Sequence, residues 1–458
     1  MVKEAGNNGA GHGYEVTVTA ASTVAPALPV QEHRLPLSNL DLLLPPVDVG
    51  VFFCYAADQT AGGGGGGGSH LAAAVLKAAL AKTLVAYYPL AGEVVANADG
   101  EPELLCSGRG VDIVEASADG VDLRELRLGL PDESVEQLVP KKKAGVMCVQ
   151  VTKFRCGGAV VGCTFDHRVC DAYSFNMFLV AWAAAARGSS APPAPSFHRS
   201  FLAPRQPPPP CASTLADRLF VPLSCAPAPP PATAAANRIY RVAAADVAAL
   251  QASAGPGRTK LEAFTAHLWR LHARAATPRQ RSCCMGVVVD GRARLRRDGA
   301  MGAYFGNVLT IPHGVIGFAD LRVMALAEVA EDVHRWVAEA ATGEHFRELV
   351  DWVEARRPEP TVARAYLGRG VDGEDATACV VSSGMRLPVG EVDFGWGPPA
   401  FASYHFPWPG GAGYVMPMPS ARGDGDWVVY VHAAPEVVKV MEEEPTVFKA
   451  LESRYVFG

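Results

Sequence analysis

No two of the 11 cysteines form a C-x-x-C pair, and they are scattered and odd in number. This excludes a disulfide framework and a zinc ribbon from the expectation, proposes no metal site, and points to reduced thiols in a reducing compartment. An excess of cationic residues is missing too. The formal net charge is −6, whereas a nucleic-acid binder neutralises several phosphates with surplus Lys and Arg, so no nucleic-acid partner is expected and an anionic ligand must meet a local basic patch. There is no run of 18 uninterrupted apolar residues, and the opening MVKEAGNNGAGHG has no apolar leader stretch. No membrane association is expected, and a cytoplasmic protein follows. A short-period repeat is also lacking, which disfavours a solenoid or a propeller.

What remains is a chain of 458 residues, about three times the commonest domain size, which implies two large domains or one very large one. Hydrophobic residues make up 49% and charged residues 19%, so the core is not scarce and folding needs no staple. Two low-complexity segments punctuate the sequence. Gly62 to Gly68 lies between VGVFFCY and HLAAAVLKAALAKTL and reads as a flexible surface loop. The stretch 189–235 is dominated by Pro, Ala and Ser (SSAPPAPSF, RQPPPPCAS, CAPAPPPATAAA) and is expected to cross the surface without regular structure. It splits the chain into an N-terminal domain over 1–188, a linker over 189–235 and a C-terminal domain over 236–458.

Both halves alternate strand-like runs with amphipathic helices, a mixed α/β pattern. In the first, YEVTVTA, DVGVFFCY, MCVQVTKF and GAVVGCTF read as strands and VVANADGEPELLCS as a hairpin. From Asp171 onward, Phe175, Phe178, Leu179 and Trp182 recur at i, i+3, i+4 and i+7, one face of a helix. In the second, RTKLEAFTAHLWRLHARA and ADLRVMALAEVAEDVHRWVAEAA read as helices, and CCMGVVVD, TACVVSS and DWVVYVHA as strands.

The strongest local constellation is CTFDHRVCDAYSF, where an apolar strand delivers His167 at its end, a rigid place from which to present an imidazole. Histidine suits a general base because its ordinary pKa lies near neutral pH, although a single histidine is more often structural than catalytic. Asp171 is placed either to orient His167 or to cap the following helix. Cys170 has no third group and no strongly electropositive setting to lower its pKa, so it reads as a buried thiol rather than a nucleophile. Other candidates fail on context. LGRGVDG (367–373) matches G-x-G-x-x-G but follows no apolar strand and opens no helix. His267 and His272 are five apart and do not share a helix face. Lys141 to Lys143 reads as a solvated loop. In VDFGWGPPAF two glycines bracket a tryptophan, which predicts a tight loop before a strand, with Asp393 pairing locally and Gly395 and Gly397 at positive φ around Trp396.

HRVCD, YFGN (Tyr304 to Asn307) and DFGWG together resemble the BAHD acyltransferases, the plant acyl-CoA-dependent family marked by H-x-x-x-D and DFGWG. LSNLD from Leu37, YYPLAG from Tyr87, TKLEAFTAHLW from Thr259 and VDGRARL from Val289 fall in that family's order, so the resemblance spans essentially the whole chain. It implies two similar-sized mixed-sheet α/β domains like chloramphenicol acetyltransferase, joined by a long crossover, with a tunnel at their interface. His167 would deprotonate the acceptor hydroxyl or amine, which attacks the thioester directly without an acyl-enzyme. Asp171 would point away from the tunnel and pair with Arg292, and Asp393, Gly395, Trp396 and Gly397 would be structural. Acyl-CoA enters as co-substrate; no permanent cofactor is implied.

The chain departs from the family in two places. Where many hydroxycinnamoyl transferases carry Thr-Ser-Trp before DFGWG, this sequence reads Ser382, Ser383, Gly384. Ser382 keeps a hydroxyl for oxyanion assistance, while Gly384 removes an aromatic wall and is expected to enlarge the acceptor pocket. The proline-containing link before YFGN is replaced by RRDGAMGA. Thr259 and Lys260 complete the candidate substrate-binding set. The expectation is a monomeric acyltransferase acting on the hydroxyl of a small alcohol or phenylpropanoid, with N-acylation of polyamines or aromatic amines as the alternative and an inactive binding protein as the rival.

Overall fold

The computed structural model describes residues 13–57, 68–190, 192–207, 214–226, 235–295, 299–368, 376–407 and 411–458, with no account of the side chains of 68–72. Two mixed sheets dominate. The first has six strands in the order Thr17–Val24, Val111–Ala118, Met147–Phe154, Ala159–Asp166, Asp48–Tyr55 and Phe401–His405. The second has seven, in the order His313–Gly317, Ser282–Val287, Ala376–Val381, Gly413–Pro419, Trp427–Ala433, Ala236–Val242 and Lys449–Ala450. The chain therefore has the two-domain mixed α/β architecture expected of it.

The central strands Asp48–Tyr55 and Ala159–Asp166 are apolar on both faces because both are covered, and all but the first residue of each is buried. On one face the helix Ala172–Arg187 presents Phe175, Phe178, Leu179 and Trp182, each fully buried. Burying such side chains stabilises by about 1.5–3 kcal/mol each. Trp182 donates its indole N–H to the Leu76 carbonyl at 2.9 Å, tying in the helix Gly68–Ala86. Glycine has a packing reason at 162, where a Cβ would lie 2.1 Å from the Leu138 carbonyl oxygen. The second sheet buries its outer face under Ala244–Ser253, Lys260–Ala275, Leu326–Ala340 and Pro435–Glu442, around Phe264, Leu268 and Trp269.

Three features differ from the sequence expectation. The run 319–341 is two helices, Phe318–Val323 and Leu326–Ala340, separated at Met324 and Ala325, both extended. The Pro/Ala-rich stretch is not devoid of regular structure: Thr214–Leu219 is helical, and Phe220–Pro222 pairs antiparallel with Thr361–Ala363. Leu219 and Phe220 anchor that segment in a core shared with Leu40, Leu43 and Trp352. Third, Phe401–His405 crosses back from the second half of the chain to pair with Asp48–Tyr55 of the first sheet, which no periodicity in the sequence reveals. The polyglycine run up to residue 67 and most of LGRGVDG lie outside the described residues, and Gly68 opens the helix Gly68–Ala86.

Candidate active site

His167 leaves the end of the strand Ala159–Asp166 and is fixed by its main chain on both sides. Its N–H donates to the Val47 carbonyl at 2.9 Å, and its carbonyl accepts from Asn307 Nδ2 at 2.9 Å. The ring is half-buried, and its Nδ1 is buried with no hydrogen-bond partner among the described residues. Ring nitrogens of His272, His345 and His405 are likewise buried without a partner among the described residues, so what sets His167 apart is its place at a strand end and a main chain held from two sides.

Asp171 opens the helix Ala172–Arg187 as its N-cap, accepting from Ser174 N at 2.9 Å. The same carboxylate takes both ends of the Arg292 guanidinium, at 2.8 and 3.1 Å, and receives Val308 N at 3.2 Å. Among the described residues none of its bonds goes to His167, so of the two roles open to it in the sequence the helix cap is the one occupied. Arg292 also donates to Ser174 Oγ, Asp290 Oδ2 and the Gly306 carbonyl and lies over the Tyr173 ring. Burial works against its charged form, but the Asp171 and Asp290 carboxylates outweigh that and raise its pKa above the usual value.

Cys170 is buried beside this pair. Burial, then the Asp171 and Asp41 carboxylates, push its thiol well above the ordinary range, which disfavours a nucleophilic thiolate.

One cavity adjoins this region and a second lies along 132–141. The first, of about 370 Å³, is lined by Val47, Asp48, Lys142, Asp166 and Arg168 among others, so it takes in both chain neighbours of His167. Its charges are matched in pairs: Arg168 grips Asp166 through Nε and Nη2 at 3.0 and 2.6 Å, and Lys142 lies 3.2 Å from Asp48. The solvated-loop expectation for 141–143 is thus corrected at Lys142, whose side chain is only 13% exposed, because a carboxylate 94 residues distant in sequence, invisible to local pattern, holds it there. The second, of about 410 Å³, is lined by Asp132, Glu133, Glu136 and Lys141 with Gln137 and Gln150.

The remaining candidates spread out. Ser382 is half-buried and donates its N–H to the Val415 carbonyl at 2.9 Å; the neighbouring Tyr414 hydroxyl donates to Met416 Sδ at 3.7 Å, and burial pushes its pKa up to about 12. Gly384 does not stand beside open space: a Cβ there would lie 2.8 Å from Met418 Cγ, 3.1 Å from Met416 Cε and 3.3 Å from Leu387 Cδ1. The volume expected to be vacant is filled by flexible methionines, which repack readily into irregular gaps. Thr259 and Lys260 are exposed at the start of the helix Lys260–Ala275, where Thr259 Oγ1 accepts from Glu262 N at 3.2 Å and Thr259 N donates to Glu262 Oε2 at 2.7 Å, a capping box. DFGWG makes the tight loop foreseen. Asp393 accepts from Gly395 N and Trp396 N at 2.8 and 3.1 Å, and Gly395 and Gly397 have φ of 99° and 84°. The loop docks by Trp396 against Tyr55, Phe394 against Trp182, and Arg187 against Asp393.

Three residues given no role in the sequence reading, Asp41, Ser174 and Asn307, belong to the frame around His167. YFGN and LSNLD mark two of them, yet a single Asp and a single Asn have no local signature of partnership. Among the described residues no group of three His, Cys, Asp or Glu side chains is arranged to hold a metal, and no helix is long and apolar enough to cross a membrane.

Comparison with known proteins gives the same picture at the level of the whole chain. A family model described as the Transferase family matches residues 14–447. The shikimate O-hydroxycinnamoyltransferase of Nicotiana tabacum is 29% identical over 451 residues, covering 94% of this chain and 99% of the relative. Putrescine hydroxycinnamoyltransferase 1 of Oryza sativa subsp. japonica is 31% identical over 445 residues, covering 90% and 94%. Among solved structures, F. graminearum TRI101 complexed with coenzyme A and T-2 mycotoxin superposes with a TM-score of 0.70 at 13% identity, covering 90% of this chain and 97% of that one.

Proposed function

We propose, for a chain that belongs to the Transferase family of BAHD acyltransferases, that it carries an acyl group from a coenzyme A thioester to the hydroxyl of a small alcohol or phenylpropanoid, with His167 as general base. The observation that carries this reading is the placement of His167: a half-buried ring at the end of a strand, on a main chain pinned from two sides. A general base needs this fixed position and a ring not committed to a structural bond.

The chemistry is direct transfer. The imidazole takes the acceptor O–H proton as the oxygen bonds to the thioester carbonyl carbon, and the carbonyl electrons move to oxygen in a tetrahedral intermediate. Collapse breaks the C–S bond, and the imidazolium returns its proton to the departing sulfur, giving the ester and free coenzyme A. Ser382, held by its main chain to Val415, is the hydroxyl assigned to the oxyanion, where one such donor contributes about 2.7–4 kcal/mol. Asp171 and Arg292 hold the loop that bears His167, and Asp393, Gly395, Trp396 and Gly397 act as structural support. Thr259 and Lys260 are assigned to the acyl-CoA side and Gly384, behind its methionine packing, to the acceptor side. On this reading 1–188 and 236–458 supply the two acyltransferase domains, with Phe401–His405 lent to the first sheet, and 189–235 is the crossover of a cytoplasmic monomer.

N-acylation of a polyamine is the second reading; the carboxylates Asp132, Glu133 and Glu136 that line a cavity along 132–141 are already paired with Asn237, Arg127 and Lys141, so its support is the likeness to a relative. The Oryza relative is named for putrescine. A thiol-release assay with hydroxycinnamoyl-CoA and acetyl-CoA against alcohols, phenylpropanoids and polyamines separates the two. Turnover with hydroxylated acceptors alone supports the first reading, turnover with polyamines alone replaces it by the second, and turnover with neither supports a binding protein.

A further inference from the structure

The loop bearing His167 belongs to the first half of the chain, but the group that grips its carbonyl comes from the second. Asn307 Nδ2 lies 2.9 Å from the His167 carbonyl, 3.3 Å from the Arg168 carbonyl and 2.9 Å from Asp41 Oδ1. All three neighbours are acceptors, so the donor end of the amide must face them; a flipped amide would set oxygen against three oxygens. Asp41 fixes that choice. It is fully buried, and Oδ1 also receives Asn307 N at 2.6 Å, while Oδ2 receives Ser38 N and Ser38 Oγ at 2.8 and 2.7 Å. A carboxylate accepts only, so it holds the asparagine from both its main chain and its side chain. Arg199 completes the enclosure by donating to the Tyr304 hydroxyl and the Phe305 carbonyl at 2.8 and 2.9 Å, which anchors the segment that delivers Asn307.

We infer that Asn307, anchored by Asp41, is a positioning residue that sets the place of the His167 imidazole through its main chain. Three segments distant in sequence, 38–41, 167–168 and 304–307, meet in this one contact. It differs from the Asp171–Arg292 pair, which braces the far end of the same loop and touches neither atom of the His167 peptide. The base therefore sits at the end of a strand on one side and under an amide donor from the other half of the chain, so the joining of the halves and the placing of the base are one interaction.

The inference rests on His167 being the base, and the test keeps the two apart. For Asn307→Ala, Asp41→Asn and His167→Ala, kcat is measured by thiol release with the best acyl-CoA and acceptor pair, acyl-CoA affinity by titration calorimetry without acceptor, and melting temperature by scanning fluorimetry. The expected result is a kcat for Asn307→Ala lowered on the order of 10²-fold, as a misplaced reacting group costs, with acyl-CoA Kd within about threefold of the parent since no binding contact is removed. Asp41→Asn, which keeps one acceptor oxygen but gives up the charge, should fall between the two. If Asn307→Ala does not fold, Asn307→Ser, which keeps a hydroxyl donor on a shorter arm, is measured in its place and should lose kcat without losing acyl-CoA affinity. Parental kcat in the folded variant, or a loss that follows acyl-CoA affinity, overturns the positioning role. If that happens while His167→Ala is inactive, only this inference falls; if His167→Ala turns over like the parent, the base assignment falls with it.

Discussion

HRVCD and DFGWG carry the same weight in the sequence resemblance, but they are held by opposite kinds of force. The HRVCD loop is buried and polar: its backbone and carboxylate bonds reach Val47, Arg292 and Asn307 in other parts of the chain. The DFGWG loop is partly exposed and docks with rings, Trp396 on Tyr55 and Phe394 on Trp182, around an aspartate that bonds within its own turn. A buried polar frame loses heavily when one partner goes, because the others are left unpaired; an aromatic dock loses area in proportion to what is removed. On the proposed reading the first loop places the base and the second is structural support, and the contrast predicts how each responds to losing one partner.

The comparison is sharpest at His167. His167→Ala should lower kcat on the order of 10²–10⁴-fold, the range of general-base help, with melting temperature and acyl-CoA affinity near the parent. Equal turnover would remove the functional half of the contrast. Asp171→Asn should lower stability and kcat together. Removing one charge of a buried pair destabilises by roughly 3–5 kcal/mol, read as a fall in the denaturation midpoint; a variant as stable as the parent would show that Asp290 alone satisfies Arg292. Trp396→Ala tests the other loop. It should destabilise by about 2 kcal/mol, below the value for a fully buried tryptophan, while kcat per folded molecule stays unchanged; a lost kcat at unchanged stability would break the contrast.

The smallest effect concerns Glu101 and Arg357, a second link between the halves, paired at 2.7 Å and nearer the surface than Asp171–Arg292. Arg357 holds the Glu101 carboxyl below its ordinary value. With the folded pKa depressed, the pair's stability is present above the unfolded pKa of about 4.3 and is lost as pH falls through the folded pKa. Glu101→Gln should thus destabilise the fold at neutral pH by about 1 kcal/mol or less, read as a slightly lower melting temperature, and flatten the decline of that temperature below about pH 4. An unaltered acid limb would show that the pair adds nothing.

The sequence made part of this legible. Strands with near-continuous apolar runs, such as DVGVFFCY and GAVVGCTF, stand at the expected residues, because burial on both faces leaves a plain signal. Gly413–Pro419 escapes notice because Pro417 and Pro419 argue against a strand; both lie beyond Val415, where the parallel pairing with Ala376–Val381 ends, so their missing N–H groups break no ladder on that side. The helix Gly343–Glu354 was readable in principle from Phe346, Leu349, Val350 and Val353. The Asp171–Arg292 pair was accessible only through resemblance, and Asp41–Asn307 not at all: 266 residues separate them, and no local pattern encodes a contact made by the fold. Gly384 shows the limit of reasoning from one position, since Met416 and Met418, supplied by a neighbouring strand, decide what fills the space.

Direct attack assisted by His167, without a covalent intermediate, is most directly tested by mixing the protein with a hydroxycinnamoyl-CoA in the absence of acceptor and following free thiol on the millisecond timescale. The account requires no stoichiometric burst, and steady thiol release only after an acceptor is added. Release of one equivalent of coenzyme A per protein before any acceptor is present would contradict it, because it would require an acyl-enzyme.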